Sequence, residues 1–235
     1  MTSIKNKKYI VAFLIFLIIV GIFYLYNNAG TKKQLNVDLI IQYYKQGTLS
    51  LKNNKNKEAL EFFDKILELV PKSNFKDLYL KKGFALDNLG QYKEAIDNYN
   101  IAIKLDNKYA SAYLNKGVSL LKQNKNLEAI ENFDKVIELN PNSSNAYNNK
   151  GAALGNLNKY QEAINNYNKA IELDPKYFEP YKNKFCPLYN LKRYEEAVET
   201  CDKAIKLEPN RHDIQEVINN RIKALNKLEE IIRNN

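Results

Sequence analysis

Residues 110–177 are one unit written twice, and that duplication constrains the fold more than any other feature of the chain. Residues 110–143 read ASAYLNKGVSLLKQNKNLEAIENFDKVIELNPNS, and residues 144–177 read SNAYNNKGAALGNLNKYQEAINNYNKAIELDPKY. AYxNKG and then EAIxNxxKxIELxP recur at a spacing of 34 residues. A short unit that recurs at fixed period cannot bury its apolar face alone, so it must stack on copies of itself.

The period extends in both directions. Aligning on the eighth and twentieth positions gives five units, at 40–73, 76–109, 110–143, 144–177 and 178–211, with Asn74 and Phe75 inserted after the first. The twentieth position is Ala59, Ala95, Ala129, Ala163 and Ala197; the eighth is Gly47, Gly83, Gly117, Gly151 and then Phe185. Within a unit, Tyr113, Gly117 and Leu120 share one helical face, and Ala129, Ile130, Phe133, Val136 and Ile137 share another. Between them lies a polar turn, in which Asn124 aligns with Gly90 and Asn158, residue types suited to the left-handed cap that ends a helix. Pro71, Pro141, Pro175 and Pro209 follow the second helix, where proline cannot extend it. Glycine opposite alanine lets the two helices approach closely. The expectation is an all-α chain of helix hairpins.

At this point the chain resembles the tetratricopeptide repeat family, whose signature residues fall at positions 4, 8, 20, 24, 27 and 32 of each unit. In the fourth unit these are Tyr147, Gly151, Ala163, Tyr167, Ala170 and Pro175, and the resemblance spans residues 40–211. It implies a right-handed superhelical solenoid. One departure is systematic: the usual leucine at position 7 is Gln46, Lys82, Lys116, Lys150 or Lys184, and a lysine stem can lie along apolar surface while its charge stays wet. The fifth unit departs further, with Phe185, Cys186, Pro187 and Cys201 at signature positions or beside them. Proline inside a helix predicts a kink near residues 185–188. A closing helix at 212–235 carries an apolar stripe from Ile214 to Ile232, with Asp213 as its expected N-cap. That stripe also offers a surface for pairing with a second subunit.

The N-terminal segment has a different character. Residues 9–26, YIVAFLIFLIIVGIFYLY, are uncharged and long enough to cross a bilayer as a helix. Residues 1–8 form a basic flank, and 27–39 a polar linker. The run is longer than a signal-peptide core and is followed by Asn27-Asn28-Ala29, which favours an uncleaved single-pass anchor. Lys5, Lys7 and Lys8 precede the run and only Lys32 and Lys33 follow it, so the expected topology is N-terminus cytoplasmic and repeats extracytoplasmic. More than half of the net charge of +9 sits in these flanks, which argues against a nucleic-acid partner.

No constellation for catalysis, cofactor or metal binding is visible, and His212 is the single histidine. Glu58, Glu94, Glu128, Glu162 and Glu196 recur once per unit, as expected of a solvated face or inter-repeat ion pairs. Cys186 and Cys201 could bridge only if their backbones lie within about 7 Å. The resemblance implies that the first helices line a concave groove, which here would present Lys45, Lys81, Asn115, Asn149 and Asn183 at position 6. At position 13 it would present Asn88, Lys122, Asn156 and Asn190. Asparagine both donates and accepts, so a ladder of them can hold an extended peptide backbone. The chain thus reads as a membrane-anchored protein–protein interaction scaffold; the alternative is an extracytoplasmic chaperone or secretion and assembly factor that holds extended polypeptides.

Overall fold

The computed structural model describes residues 37–71 and 73–234; the predicted anchor at 9–26 and the segments flanking it lie outside the described residues. Among the described residues no helix is long and apolar enough to cross a membrane. The helices are α1 (Val37–Lys52), α2 (Asn56–Leu69), α3 (Lys76–Asn88), α4 (Tyr92–Leu105), α5 (Ala110–Lys122), α6 (Asn126–Leu139), α7 (Ser144–Asn156), α8 (Tyr160–Leu173), α9 (Phe178–Asn190), α10 (Tyr194–Leu207) and α11 (Ile214–Asn234). They form two compact units, divided after Ala112 within α5.

Each turn between paired helices is built the same way. Asn54, Gly90, Asn124, Asn158 and Lys192 have φ between 57° and 77°. The next backbone N–H bonds back into the helix just ended, from Lys55 to Ser50, Gln91 to Leu86, Lys125 to Leu120, Lys159 to Leu154 and Arg193 to Leu188. This is the Schellman closure, which satisfies carbonyls that a helix end leaves open. Lysine stands at the fifth such position, where a side chain costs about 1–2 kcal/mol.

In the first unit α1 pairs with α2 and α3 with α4, and α3 also packs on both α1 and α2. Phe63, Ile66, Ala59, Leu78 and Ala85 form its main core. In the second, α7 pairs with α8, α9 with α10, and α11 lies across α9 and α10. Its core holds Phe178, Phe185, Leu188, Cys201, Ala204 and Val217. The helix crossing explains the conserved spacing of small and large residues along the chain. A Cβ added to Gly47, Gly83, Gly117 or Gly151 would stand 2.5–2.8 Å from the ring of Phe63, Tyr99, Phe133 or Tyr167 respectively. Each glycine is the seat of a ring from the facing helix.

The fifth pair inverts that arrangement. Phe185 occupies the glycine position and is 6% exposed, while Cys201 occupies the ring position and is fully buried. The large side chain has moved from the second helix to the first, and one departure compensates the other. The kink predicted near residues 185–188 is not seen as a break: α9 runs from Phe178 to Asn190 with Pro187 inside it, the same thirteen residues as α7. Ten of the residues in α9 precede or include Pro187, and packing against α8 and α10 holds the element together. Asp213 directly precedes α11, and its carboxylate accepts from Lys182 Nζ and Arg211 Nε, both at 2.9 Å.

Side-chain contacts also reveal a longer period than 34 residues. Asn88 Nδ2 donates to Asn56 Oδ1 at 3.1 Å, and Asn156 Nδ2 to Asn126 Oδ1 at 3.0 Å. Lys82 pairs with Asp64 and Lys150 with Asp134, both at 2.5 Å. These contacts join the second helix of an odd repeat to the first helix of the next. Even repeats carry Asn100 and Asn168 where odd ones carry Asp64 and Asp134, and Tyr92 and Tyr160 where odd ones carry Asn56 and Asn126. They also end on Tyr109 and Tyr177, where odd ones end on Ser73 and Ser143. Across the first four repeats the pattern therefore alternates hairpin by hairpin; the fifth keeps the odd-type Asp202 but carries Tyr194 and ends on Arg211.

Candidate functional site

The candidate surface is the face of the first helices, and the two units present different chemistry on it. In the first unit Lys81 Nζ lies 5.8 Å from the centre of the Tyr44 ring. Burial pulls the Lys81 ammonium below its ordinary pKa, Asp77 counteracts this, and the neighbouring Lys52 adds to it. Asp77 is already engaged, since it accepts from the Tyr109 hydroxyl. Burial, with Asp77 nearby, raises the Tyr44 hydroxyl far above the usual tyrosine range, so it stays protonated. Lys45 stands exposed on α1, and Asn88 is exposed at the end of α3 with its amide already given to Asn56.

In the second unit two of the position-6 amides, Asn149 and Asn183, are partly satisfied within the fold. Asn183 Nδ2 donates to Asn148 Oδ1 at 3.2 Å, and Asn148 Nδ2 reaches Asn149 Oδ1 at 3.3 Å and the Tyr177 hydroxyl at 3.4 Å. Asn148 is 4% exposed, while Asn149 and Asn183 are half-buried. The Tyr177 hydroxyl is pushed up to about 12, first by burial and then by the charge of Glu179. The structure thus brings Asn149 and Asn183 together through Asn148, a residue the sequence reading passed over because it scored position 6 and not position 5. Asn115 is half-buried and Lys122 exposed on α5. Asn156 is tied to Asn126, and Asn190 donates to the Cys186 carbonyl at 2.8 Å. At position 13, Asn88 and Asn156 therefore staple neighbouring hairpins while Asn190 bonds within its own helix.

Four of the five recurring glutamates have a local partner. Glu58, Glu128, Glu162 and Glu196 pair with Lys55, Lys125, Lys159 and Arg193, three residues earlier. They sit in the first turn of each second helix, where negative charge is favoured by the helix dipole. Both cysteines are free thiols, Cys186 exposed and Cys201 buried. Burial raises the Cys201 thiol to about 12.

A stack of helix hairpins with an outward polar face on the first helices defines a repeat scaffold. The chain carries tetratricopeptide repeats: family profiles of that description match residues 43–73, 110–143, 144–177 and 188–211, and one described as TPR repeat matches 85–124. A TPR repeat-containing protein of Methanocaldococcus jannaschii, MJ1428, is 35% identical over 112 residues, which is 47% of this chain; the chain spans 17% of that protein's length. Among solved structures, MamA (residues 41 to the end) from Desulfovibrio magneticus aligns at a TM-score of 0.66 with 23% identity, over 74% of this chain and 98% of that one. YrrB, described as a TPR protein with an unusual peptide-binding site, aligns at 0.60 with 26% identity, over 75% and 90%.

Proposed function

We propose that this chain is a membrane-anchored interaction scaffold that takes a peptide or protein partner on the first-helix face of its repeats. The observation that carries the reading is the linked set Asn148, Asn149 and Asn183, a row of amides held in place by the fold with capacity left to donate and accept. The peptide-binding site named for YrrB supports a ligand of the same kind. Anchoring rests on the uncharged run at 9–26, and the lysine bias around it puts the N-terminus in the cytoplasm and the repeats outside. An anchored array raises the local concentration of whatever it binds, so several weak contacts suffice.

Two measurements test this. A reporter active only outside the cytoplasm, fused after Asn235, gives signal in the proposed topology and none in the reverse one. Replacing Asn149 and Asn183 by alanine weakens capture of the partner severalfold from native membranes; unchanged capture removes the amide row from the binding surface.

A further inference from the structure

We infer that the first-helix face of the first unit selects an acidic peptide segment, held through its side-chain carboxylates by Lys45, Lys52 and Lys81. The inference rests on the reading of the first-helix face as the binding surface, and adds the chemistry of what one part of that face takes.

Five lysines lie on α1 and α3, and two of them are already spent. Lys76 pairs with Asp106 and Lys82 with Asp64. Lys45, Lys52 and Lys81 enter no ion pair among the described residues. Lys45 and Lys52 stand two turns apart on α1, about 10 Å along its axis, and both are exposed. Lys81 belongs to α3, which packs on α1. Its Nζ lies 5.8 Å from the ring of Tyr44, the neighbour of Lys45, and its ammonium is disfavoured by the charge of Lys52. Lys81 is thereby tied to both ends of the α1 row.

The carboxylates of these two helices leave that charge unanswered. Asp77 accepts from the Tyr109 hydroxyl, and Asp87 is 8% exposed and already engaged. Asp38 stands in the first turn of α1, about 10 Å before Lys45. The second unit supplies the contrast, since Asn115, Asn149 and Asn183 hold the places of Lys45 and Lys81 and are uncharged.

The number and setting of the lysines decide the occupant. A nucleic-acid backbone is tracked by a longer run of Lys and Arg, and α1 and α3 carry no arginine. Anionic lipid surfaces attract clusters of about 4–8 cations free to reach one plane, whereas Lys81 is half-buried. An extended peptide suits three charges on two adjacent helices. Its alternate side chains point the same way about 7 Å apart, so carboxylates there come within reach of flexible lysine arms. Phe84, 42% exposed three residues after Lys81, offers a ring to an apolar neighbour.

Binding of two acetylated and amidated peptides to the purified full chain tests this, one alternating glutamate with alanine and the other glutamine with alanine. Neither has a free terminal carboxylate. The glutamate peptide is expected to bind about tenfold more tightly, with an affinity that falls as salt rises. Lys45→Gln with Lys52→Gln should weaken it about fivefold. Lys57→Gln with Lys93→Gln removes the same charge from exposed sites on α2 and α4 and should leave the affinity unchanged. Equal binding of the two peptides, no binding of the glutamate peptide, or an equal loss from the control pair overturns the proposal. Failure of the first-helix reading itself shows separately, as unchanged capture after substitution of Asn149 and Asn183. A DNA oligonucleotide, or micelles carrying phosphatidylglycerol, bound more tightly than the peptide through Lys45 and Lys52 would also overturn it, in favour of a phosphate-bearing occupant.

Discussion

Gly83 shows how much of this fold is decided by single side chains. A methyl added there meets the Tyr99 ring at 2.5 Å, too close for the ring to stay in place. Gly83→Ala should destabilise the protein by about 1–3 kcal/mol, the usual cost of overpacking, as measured by urea unfolding. The exchange at Phe185 and Cys201 makes a sharper prediction. Phe185→Gly opens a cavity and Cys201→Phe overfills the same space, so each alone destabilises by about 2–4 kcal/mol. Together they recreate the arrangement of the other hairpins and recover at least half of the summed loss in a double-mutant cycle. A strictly additive pair would show that the two sites do not share the space. Lys192 offers the opposite sign: Lys192→Gly at its φ of 60° should stabilise by about 1 kcal/mol. The glycine seats and left-handed turns were legible in the sequence because glycine and asparagine announce them. Lys192 gave no such signal, and the Phe185–Cys201 exchange was hidden because each residue read singly is only a departure from pattern.

At the scale of helices, ion pairs and amides set the register between neighbouring hairpins. Asp106 is held below the usual carboxylate range first by its hydrogen bond from Lys76 and then by the Lys108 backbone; Asp213 is held there first by Lys182. A folded-state pKa below the unfolded value of about 3.9 means the stabilising contribution is complete above that pH and is lost as pH falls through the folded pKa. Acid unfolding should therefore steepen below about pH 4. Asp106→Asn should flatten that limb, and an unchanged profile would show that the pair contributes nothing. The hairpin boundaries followed directly from periodicity, but the alternation between successive hairpins did not. Aligning every unit to one consensus averages Asp64 with Asn100 and Asn56 with Tyr92, which erases the alternation that the contacts restore. Asn88 and Asn156 were read as ligand contacts for the same reason: their partners Asn56 and Asn126 lie 32 and 30 residues away, a contact that only packing reveals.

For the whole molecule, the two thiols report on integrity. Cys186 is exposed, whereas burial raises the Cys201 thiol to about 12 and withholds the thiolate that reacts. Iodoacetamide at pH 8 should modify one cysteine per native chain and two after denaturation; two fast-reacting thiols in the native state would mean the fifth hairpin opens. Binding is a different kind of property, since the repeat architecture declares a surface and not its occupant. Central to the account is that the first-helix face, and not the outer face, holds the partner. A photoreactive amino acid at Asn149 tests this most directly, with one at Glu172 on α8 as the reference. The account predicts one or two stoichiometric adducts from residue 149 and none of them from residue 172. The same adducts from both positions, or from residue 172 alone, would contradict it.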